Sequence, residues 1–441
     1  MSYSKKVKEK LEKQKVKIGN EISIVIESKE YKGILLDNSE KESDILIVKL
    51  NNGYNVGLEI NDSIKFIGEG YSFKNNESSD NFFNEDNDIS ILTFGGTISS
   101  KVEYKTGAVY PSISNKEFIE QFPEINNFGK VNFKNVFSLL SEDINISHWK
   151  EMGKEIYNEL KNNKSVVATH GTDTMSYSSS ALSFMIQNPI KPVVFTGSQR
   201  SSDRGSSDNK ENLLNSVFYA QSGLPGIYVC MHRHSNDGQG VIINGVNARK
   251  MHTSKRDAFK SINTQPVAYI DYKSKSLEYV STPKKNENEM KLIDKFNENV
   301  AMVYIHPGIK PSFISKLSDY DGVVLMGTGL GHVPTNPYNN EKSLSIFNEI
   351  KDLINSEIPV VMAPQTIHGR LNLNVYTSGR MLNEIGVIGH LCDWTPETAY
   401  VKLSWVLGQT KEMKKVKEMM HTNYCSEFSE HTIYENEEVE Q

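Results

Sequence analysis

The hydrophobic pattern changes period along the chain. From Val16 to about Gly70 it consists of short runs, Glu21–Glu27, Tyr31–Leu36, Asp44–Leu50, Tyr54–Ile60 and Ser63–Ile67, of strand length and β-rich composition. Asn52-Gly53, between two of them, suits a type I′ hairpin turn, whose two central positions need positive φ. These features predict a small all-β barrel. Ahead of it, Lys5, Lys6, Lys8, Lys10, Lys13, Lys15 and Lys17 alternate with Glu9 and Glu12. That pattern predicts a short helix with a solvated basic face, or an arm that meets RNA or a partner. Residues 71–88 are rich in Asn, Ser and acids, have few aliphatics and read as a linker.

From Ile89 onward, continuous apolar runs end in small or polar residues: Ile89–Phe94 into Gly95, Ser165–Thr169 into His170, Val193–Thr196 into Gly197, Val323–Met326 into Gly327, and Val360–Met362 into Ala363. Helical patterns at Thr174–Gln187 and Ser343–Asn355 alternate with them, which predicts βαβ units around a parallel sheet buried on both faces. A charged stretch at Lys284–Glu289, after the β-like Ala268–Tyr272, marks a boundary near residue 290. The expected organisation is therefore a barrel with a basic arm over 1–75, a linker over 76–88, a larger α/β lobe over 89–290 and a smaller one over 291–441. In open α/β sheets ligands bind outside the carboxyl ends of the strands, so the small polar clusters there are the places to seek chemistry.

Composition narrows the function classes. With 441 residues the chain exceeds what one core usually serves. Lys+Arg 49 against Asp+Glu 55 gives a net charge of −6, which excludes a global cationic field for nucleic acid. Cys230, Cys392 and Cys425 are odd in number, widely separated and without a CxxC pair, which suggests neither a disulfide framework nor a zinc cluster. No apolar run reaches the ~18–20 residues of a membrane span, so the expectation is a cytoplasmic protein without membrane contact. There is no GxxxxGK[ST] loop, HExxH or GxSxG motif, and Gly327-Thr-Gly329-Leu-Gly331 has the spacing of a tight turn rather than of a dinucleotide site. His232 and His234 have no carboxylate beside them in sequence, so hydrogen bonding is expected of them and no metal site is predicted.

Three strand ends carry the candidate chemistry. Thr93-Phe-Gly95-Gly96-Thr97-Ile98 runs a strand into a diglycine turn that lets backbone approach a ligand and leaves a hydroxyl at the strand end. Thr169-His170-Gly171-Thr172-Asp173-Thr174-Met175 turns strand into helix. Thr172 and Asp173 are candidates there for N-caps and equally for a hydroxyl beside a carboxylate where helix N–H groups hold an anionic substrate group. The loop from Gly197 to Asp208, which contains Ser201, Asp203 and Arg204, is too polar to be only a connector.

Residues 93–98 and His170-Gly-Thr-Asp-Thr-Met175 resemble the two signatures of bacterial-type L-asparaginases, over roughly residues 89–430. Ser201–Asp208, Arg249–Phe259, the stretch Lys49–Gly57 and the barrel ahead of the asparaginase-like part most resemble the D subunits of archaeal glutamyl-tRNA(Gln) amidotransferases. The resemblance implies a two-lobed asparaginase-like α/β fold and hydrolysis of glutamine. Thr97 corresponds to the primary nucleophile and Tyr104, before Thr106-Gly107, to the tyrosine that assists it. Thr172, Asp173 and Lys250 correspond to a second Thr–Asp–Lys group. Ser141 and Glu142 align with residues that bind the substrate α-carboxylate and α-amino group, beside Gly96 and Gly171; Glu142 stands where many asparaginases have glutamine, and a carboxylate suits an ammonium. The resemblance further implies a homodimer of this chain and two partner E subunits in a heterotetramer. The partner uses ATP and Mg to convert Glu-tRNA(Gln) to Gln-tRNA(Gln) with the ammonia supplied, and this chain needs no cofactor of its own. The alternative is a free cytoplasmic L-asparaginase with an accessory barrel.

Overall fold

The computed structural model describes residues 3–36, 38, 42–50, 55–68, 88–96, 100–102, 109–111, 122–200, 207–281 and 288–432. The expected turn at Asn52-Gly53 and nearly all of the expected linker lie outside them.

The first helix, Lys5–Lys13, starts at Ser4, whose side chain accepts from Val7 N. Its apolar positions Val7 and Leu11 are buried with Ile22, Ile24, Leu35, Leu46 and Val48, while Lys5, Lys13, Lys15 and Lys17 stay exposed. The basic segment is thus part of the N-terminal core and turns its charges outward. Five strands, Glu21–Ile26, Lys29–Leu36, Ile45–Leu50, Asn55–Glu59 and Lys65–Gly68, form one antiparallel sheet. Lys65–Gly68 pairs with the first of them, so the meander folds back as the all-β reading requires.

The larger α/β region is built on eight strands in the spatial order Ser276–Tyr279, Ala268–Asp271, Gly240–Asn244, Gly226–His232, Pro192–Thr196, Ser165–Thr169, Ile89–Gly95, Val131–Leu139. The last five pair in parallel; the first three extend the sheet antiparallel. The extension adds antiparallel strands at one edge of the expected parallel sheet. After Gly226–His232 the chain returns through a short loop instead of a helix, and such a return gives antiparallel pairing. One face of the sheet is covered by helices Ile146–Lys161 and Met175–Met185, the other by Asn209–Ser222. This explains why the central strands read as continuous apolar runs.

Three parallel strands, Val300–Tyr304, Gly322–Gly327 and Val360–Pro364, make the second sheet. Helix Pro396–Gln409 joins the regions: Ala399, Val401, Leu403 and Trp405 share one core with Ala181, Leu182 and Phe184. Lys291–Leu292 pairs with Ile186–Gln187, so the chain still contacts the first region after residue 290. The helix expected from Ser343 begins at Phe347. Ser345 explains the delay, because its hydroxyl donates to Thr335 O and accepts Phe347 N, the competition by which serine favours helix starts over interiors. Thr328 and His332 bond each other's backbone across Gly329 and Gly331, the tight turn read from the sequence. All three cysteines are free, and among the described residues no helix is long and apolar enough to cross a membrane.

Candidate active site

Three strand ends meet at the carboxyl edge of the larger sheet, and glycine sets how close they come. Gly96, with φ +85°, lies so near the next loop that a Cβ on it would sit 2.6 Å from Gly171 N. A Cβ on Gly171 would in turn sit 2.7 Å from Ser141 Cβ. Gly96, Gly171 and Ser141 therefore stack in direct contact, which any larger residue prevents. Thr174 ties the last two loops together by donating to Ser141 O at 2.6 Å.

Thr172 and Asp173 are not helix caps. The N-cap of Met175–Met185 is Thr174, whose side chain makes no capping hydrogen bond. Instead Lys250 Nζ donates to Thr172 Oγ1 at 2.8 Å and to Asp173 Oδ1 at 2.7 Å. Thr172 is buried, Asp173 exposed, and the Lys250 side chain mostly covered. Lys250 ends a three-residue strand, Ala248–Lys250, paired with Phe259–Ser261. Buried Phe259, opposite Lys250, anchors that pair in the core. Lysine has only donors, so Thr172 Oγ1 accepts from it and keeps its own proton for another acceptor.

Ser141 is buried and Glu142 exposed in a single 3₁₀ turn directly after Val131–Leu139; their side chains are 3.4 Å apart. His170 is buried, with Nδ1 2.6 Å from Gly171 O and Nε2 without a hydrogen-bond partner. Burial pushes its pKa down to about 4, so the ring is neutral near pH 7. The polar loop after Gly197 is organised by Asp208, fully buried, which accepts from Ser198 Oγ, Gln199 N, Arg200 N and Asn212 Nδ2. Thr97, Tyr104, Thr106 and Gly107 lie outside the described residues, as do Ser201, Asp203 and Arg204. The structure thus brings Gly96, Gly171, Ser141, Thr172, Asp173 and Lys250 to one edge, with Glu142 at its rim.

His232 has near it, besides Asp237 five residues on, a carboxylate that its sequence neighbourhood did not reveal. Glu211 Oε2 lies 3.1 Å from its Nε2 and Asn212 Oδ1 2.6 Å from its Nδ1; His232, Glu211 and Asp237 form a metal-type grouping. Both carboxylates already have cations: Lys273 holds Glu211 at 2.6 Å and Arg256 pairs with Asp237. A cavity of about 510 Å³, lined by Ile144, Trp149, Thr174, Tyr177, Met302 and Tyr400 among others, touches the strand-end cluster at Thr174; neither Thr172, Asp173 nor Lys250 lines it.

Three family models match in succession: the GatD N-terminal domain over residues 16–67, the N-terminal asparaginase domain over 88–285 and the glutaminase/asparaginase C-terminal domain over 299–420. The D subunit of the glutamyl-tRNA(Gln) amidotransferase of Methanobrevibacter smithii is 41% identical over 98% of both chains, and that of Pyrococcus furiosus 39% identical over 97% of this chain and 98% of its own. The chain belongs to the glutamyl-tRNA(Gln) amidotransferase D-subunit family. Among solved structures, the thermostable L-asparaginase from Thermococcus kodakarensis superposes with a TM-score of 0.70 at 30% identity, covering 77% of this chain and 99% of its own. L-asparaginase I from Vibrio cholerae gives 0.63 at 25% identity over 77% and 98%. The asparaginases thus match only part of the chain, whereas the D subunits match nearly all of it.

For a D-subunit chain, sequence reasoning missed three features of this edge: the Thr174 tie to Ser141, the Asp208 staple, and the ion pair of Arg249 with Glu397 at 3.2 Å. Thr174 belongs to the second signature and was visible there as a third hydroxyl. The Asp208 staple closes the polar loop already singled out in the sequence, whereas no short motif connects Arg249 with Glu397.

Proposed function

We propose that this chain is the glutamine-hydrolysing subunit of a tRNA-dependent amidotransferase, with Thr97 as nucleophile. Thr97 Oγ attacks the side-chain amide carbon of glutamine while Tyr104 takes the hydroxyl proton, since threonine is a weak nucleophile without a base. The C–N bond then breaks, the nitrogen leaves with that proton as ammonia, and a glutamyl ester remains on Thr97. Water, activated at the Thr172–Asp173–Lys250 group, hydrolyses the ester and releases glutamate. Backbone N–H groups of the strand-end turns stabilise the oxyanion, each worth roughly 3–4 kcal/mol. Ser141 and Glu142 hold the substrate α-carboxylate and α-amino group.

The ammonia goes to a partner E subunit, which uses ATP and Mg to activate Glu-tRNA(Gln) in a cytoplasmic assembly of two D and two E chains around a D homodimer. The observation that carries this reading is the match of residues 16–67 to the GatD N-terminal domain, the part of the chain that distinguishes it from a free asparaginase. The hydrogen-bonded Lys250–Thr172–Asp173 group supports an intact hydrolytic site. The test is ammonia release from glutamine and from asparagine by the purified chain, alone and with the E subunit, ATP and Glu-tRNA(Gln). Glutamine hydrolysis that rises with the charged tRNA, and its loss in Thr97→Ala, is the expected result. Fast asparagine hydrolysis by the chain alone, indifferent to tRNA, would make it an asparaginase.

A further inference from the structure

Lys250 sits on a strand of only three residues, and besides the core packing of Ala248 and Phe259 the strand is held from the second region of the chain. Successive residues of a strand point to opposite faces. Lys250 faces Thr172 and Asp173, while Arg249 reaches Glu397, in the first turn of helix Pro396–Gln409, with Nη2 3.2 Å from Oε1. The same helix start holds the chain just ahead of the strand: Thr398 Oγ1 donates to Val246 O at 2.7 Å and lies 2.9 Å from Ser180 Oγ. The return leg is gripped from the same side, since Asn263 Nδ2 donates to Asp393 O and Ile367 O, and its Oδ1 accepts Gly369 N. Glu397, Thr398, Asp393, Ile367 and Gly369 all belong to the chain beyond residue 360, and they add to the holds from Phe259 and from Ser179, whose hydroxyl donates to Gly245 O at 2.7 Å.

The ion pair makes poor sense as a stabiliser alone. Glu397 is nine-tenths buried, yet its Oε2 and Arg249 Nη1 have no hydrogen-bond partner. A buried pair held by one contact recovers little of its desolvation cost, and apolar side chains of similar volume commonly do as well. We infer that Glu397 is a positioning residue for Lys250: by holding Arg249 it fixes the rotation of the short strand, and with it the reach of the lysine to Thr172 and Asp173. The C-terminal region thereby acts on the hydrolytic group without touching substrate. This rests on the proposed role of Lys250 in glutamine hydrolysis, but its geometric content does not.

The test compares the full-length wild type with Glu397→Gln, Arg249→Met and the double variant in the assembled complex. Steady-state ammonia release and thermal unfolding are measured for each, and a crystal structure is solved of Glu397→Gln. Glu397→Gln is expected to lower kcat roughly 10- to 100-fold, the scale of a misplaced catalytic group, with KM within about twofold. The double variant is expected to be no slower than the worse single one, since neighbours acting through one contact are not additive. Glu397→Asp should recover part of the rate. In the crystal structure Lys250 Nζ should have left hydrogen-bond distance of Thr172 Oγ1. A Glu397→Gln structure with that bond intact overturns the inference whatever the wild type hydrolyses, and so does a kcat equal to wild type or a loss that multiplies in the double variant. A wild type that releases no ammonia from either amide overturns the proposed function instead, and the crystal structure then decides the positioning role by itself.

Discussion

At the scale of single residues, Lys250 is the point where the hydroxyl and carboxylate of the second signature converge. Replacing it by Met keeps the stem and removes both donated bonds, to Thr172 and to Asp173. The expected result is a fall in kcat of roughly 100-fold or more, the usual scale of a proton-handling group. Stability should change by less than about 1 kcal/mol, because the Asp173 end of the pair faces solvent. Ammonia-release kinetics beside a thermal melt check both halves, and a wild-type rate would remove the lysine from the mechanism. Thr172 and Asp173 were legible in sequence because they are adjacent and follow a strand. Lys250, 77 residues beyond Asp173, was legible only through resemblance, since nothing local announces which strand folds back over a helix start. His232 shows the converse: its neighbour Glu211 is one helix away, so reading along the chain could not find it.

His170 carries a separate consequence for pH. Burial holds its folded pKa near 4 against an ordinary 6.5, so between those values the unfolded chain takes up a proton that the fold refuses. The associated stability is fully present above about pH 6.5 and is lost as pH falls toward 4, for a total of about 3 kcal/mol at 1.36 kcal/mol per unit. Glu211 acts in a lower window. The His232 contact, then Lys273 and Gly238 N, hold it down to about 2, so its contribution persists above about 4.5 and disappears only below that. Urea unfolding at pH 7, 5.5 and 4 should therefore show a decline that His170→Asn flattens. An equal slope in both proteins would mean that the ring is protonated in the fold.

At the scale of elements, the site is made by how closely three strand-end turns approach. Gly171→Ala would drive its Cβ to 2.7 Å from Ser141 Cβ. Ser141 starts a turn tied through its carbonyl to Thr174, so it has little room to retreat. An overpacking cost of about 1–3 kcal/mol is expected, together with a raised KM, because Ser141 belongs to the proposed substrate contacts. A urea midpoint and a KM both at wild-type values would show that this stacking does not place the turn. Elements buried on both faces were the easiest to read: Ser165–Thr169 and Pro192–Thr196 are buried throughout and leave an unbroken apolar run. The antiparallel extension was harder. Gly240–Asn244 and Ala268–Asp271 are joined to their neighbours by loops and a small hairpin, without the strand–helix alternation that announces a parallel crossover.

At the scale of the molecule, helix Pro396–Gln409 is where the second region is bound to the first and where the C-terminal segment is bound to both. Lys402, fully buried on that helix, spends its three donors on Met420 O at 2.8 Å, Thr422 O at 2.7 Å and Glu427 Oε1 at 2.6 Å. The Trp394, Tyr424 and Phe428 rings surround the ammonium. Glu427, equally buried, also accepts Tyr424 N and Cys425 N, so one ion pair folds the segment after helix Met413–His421 back onto the interlobe helix. Lys402→Met leaves that carboxylate buried without its cation and should cost about 3–5 kcal/mol. The double change Lys402→Met with Glu427→Gln removes the stranded charge and should regain a good part of the loss. Limited proteolysis should cut first within residues 421–432 of the single variant, since the released segment is the part that opens. If the single variant melts like the wild type and resists cleavage, the pair does not hold the segment, and the aromatic cluster alone must account for its docking.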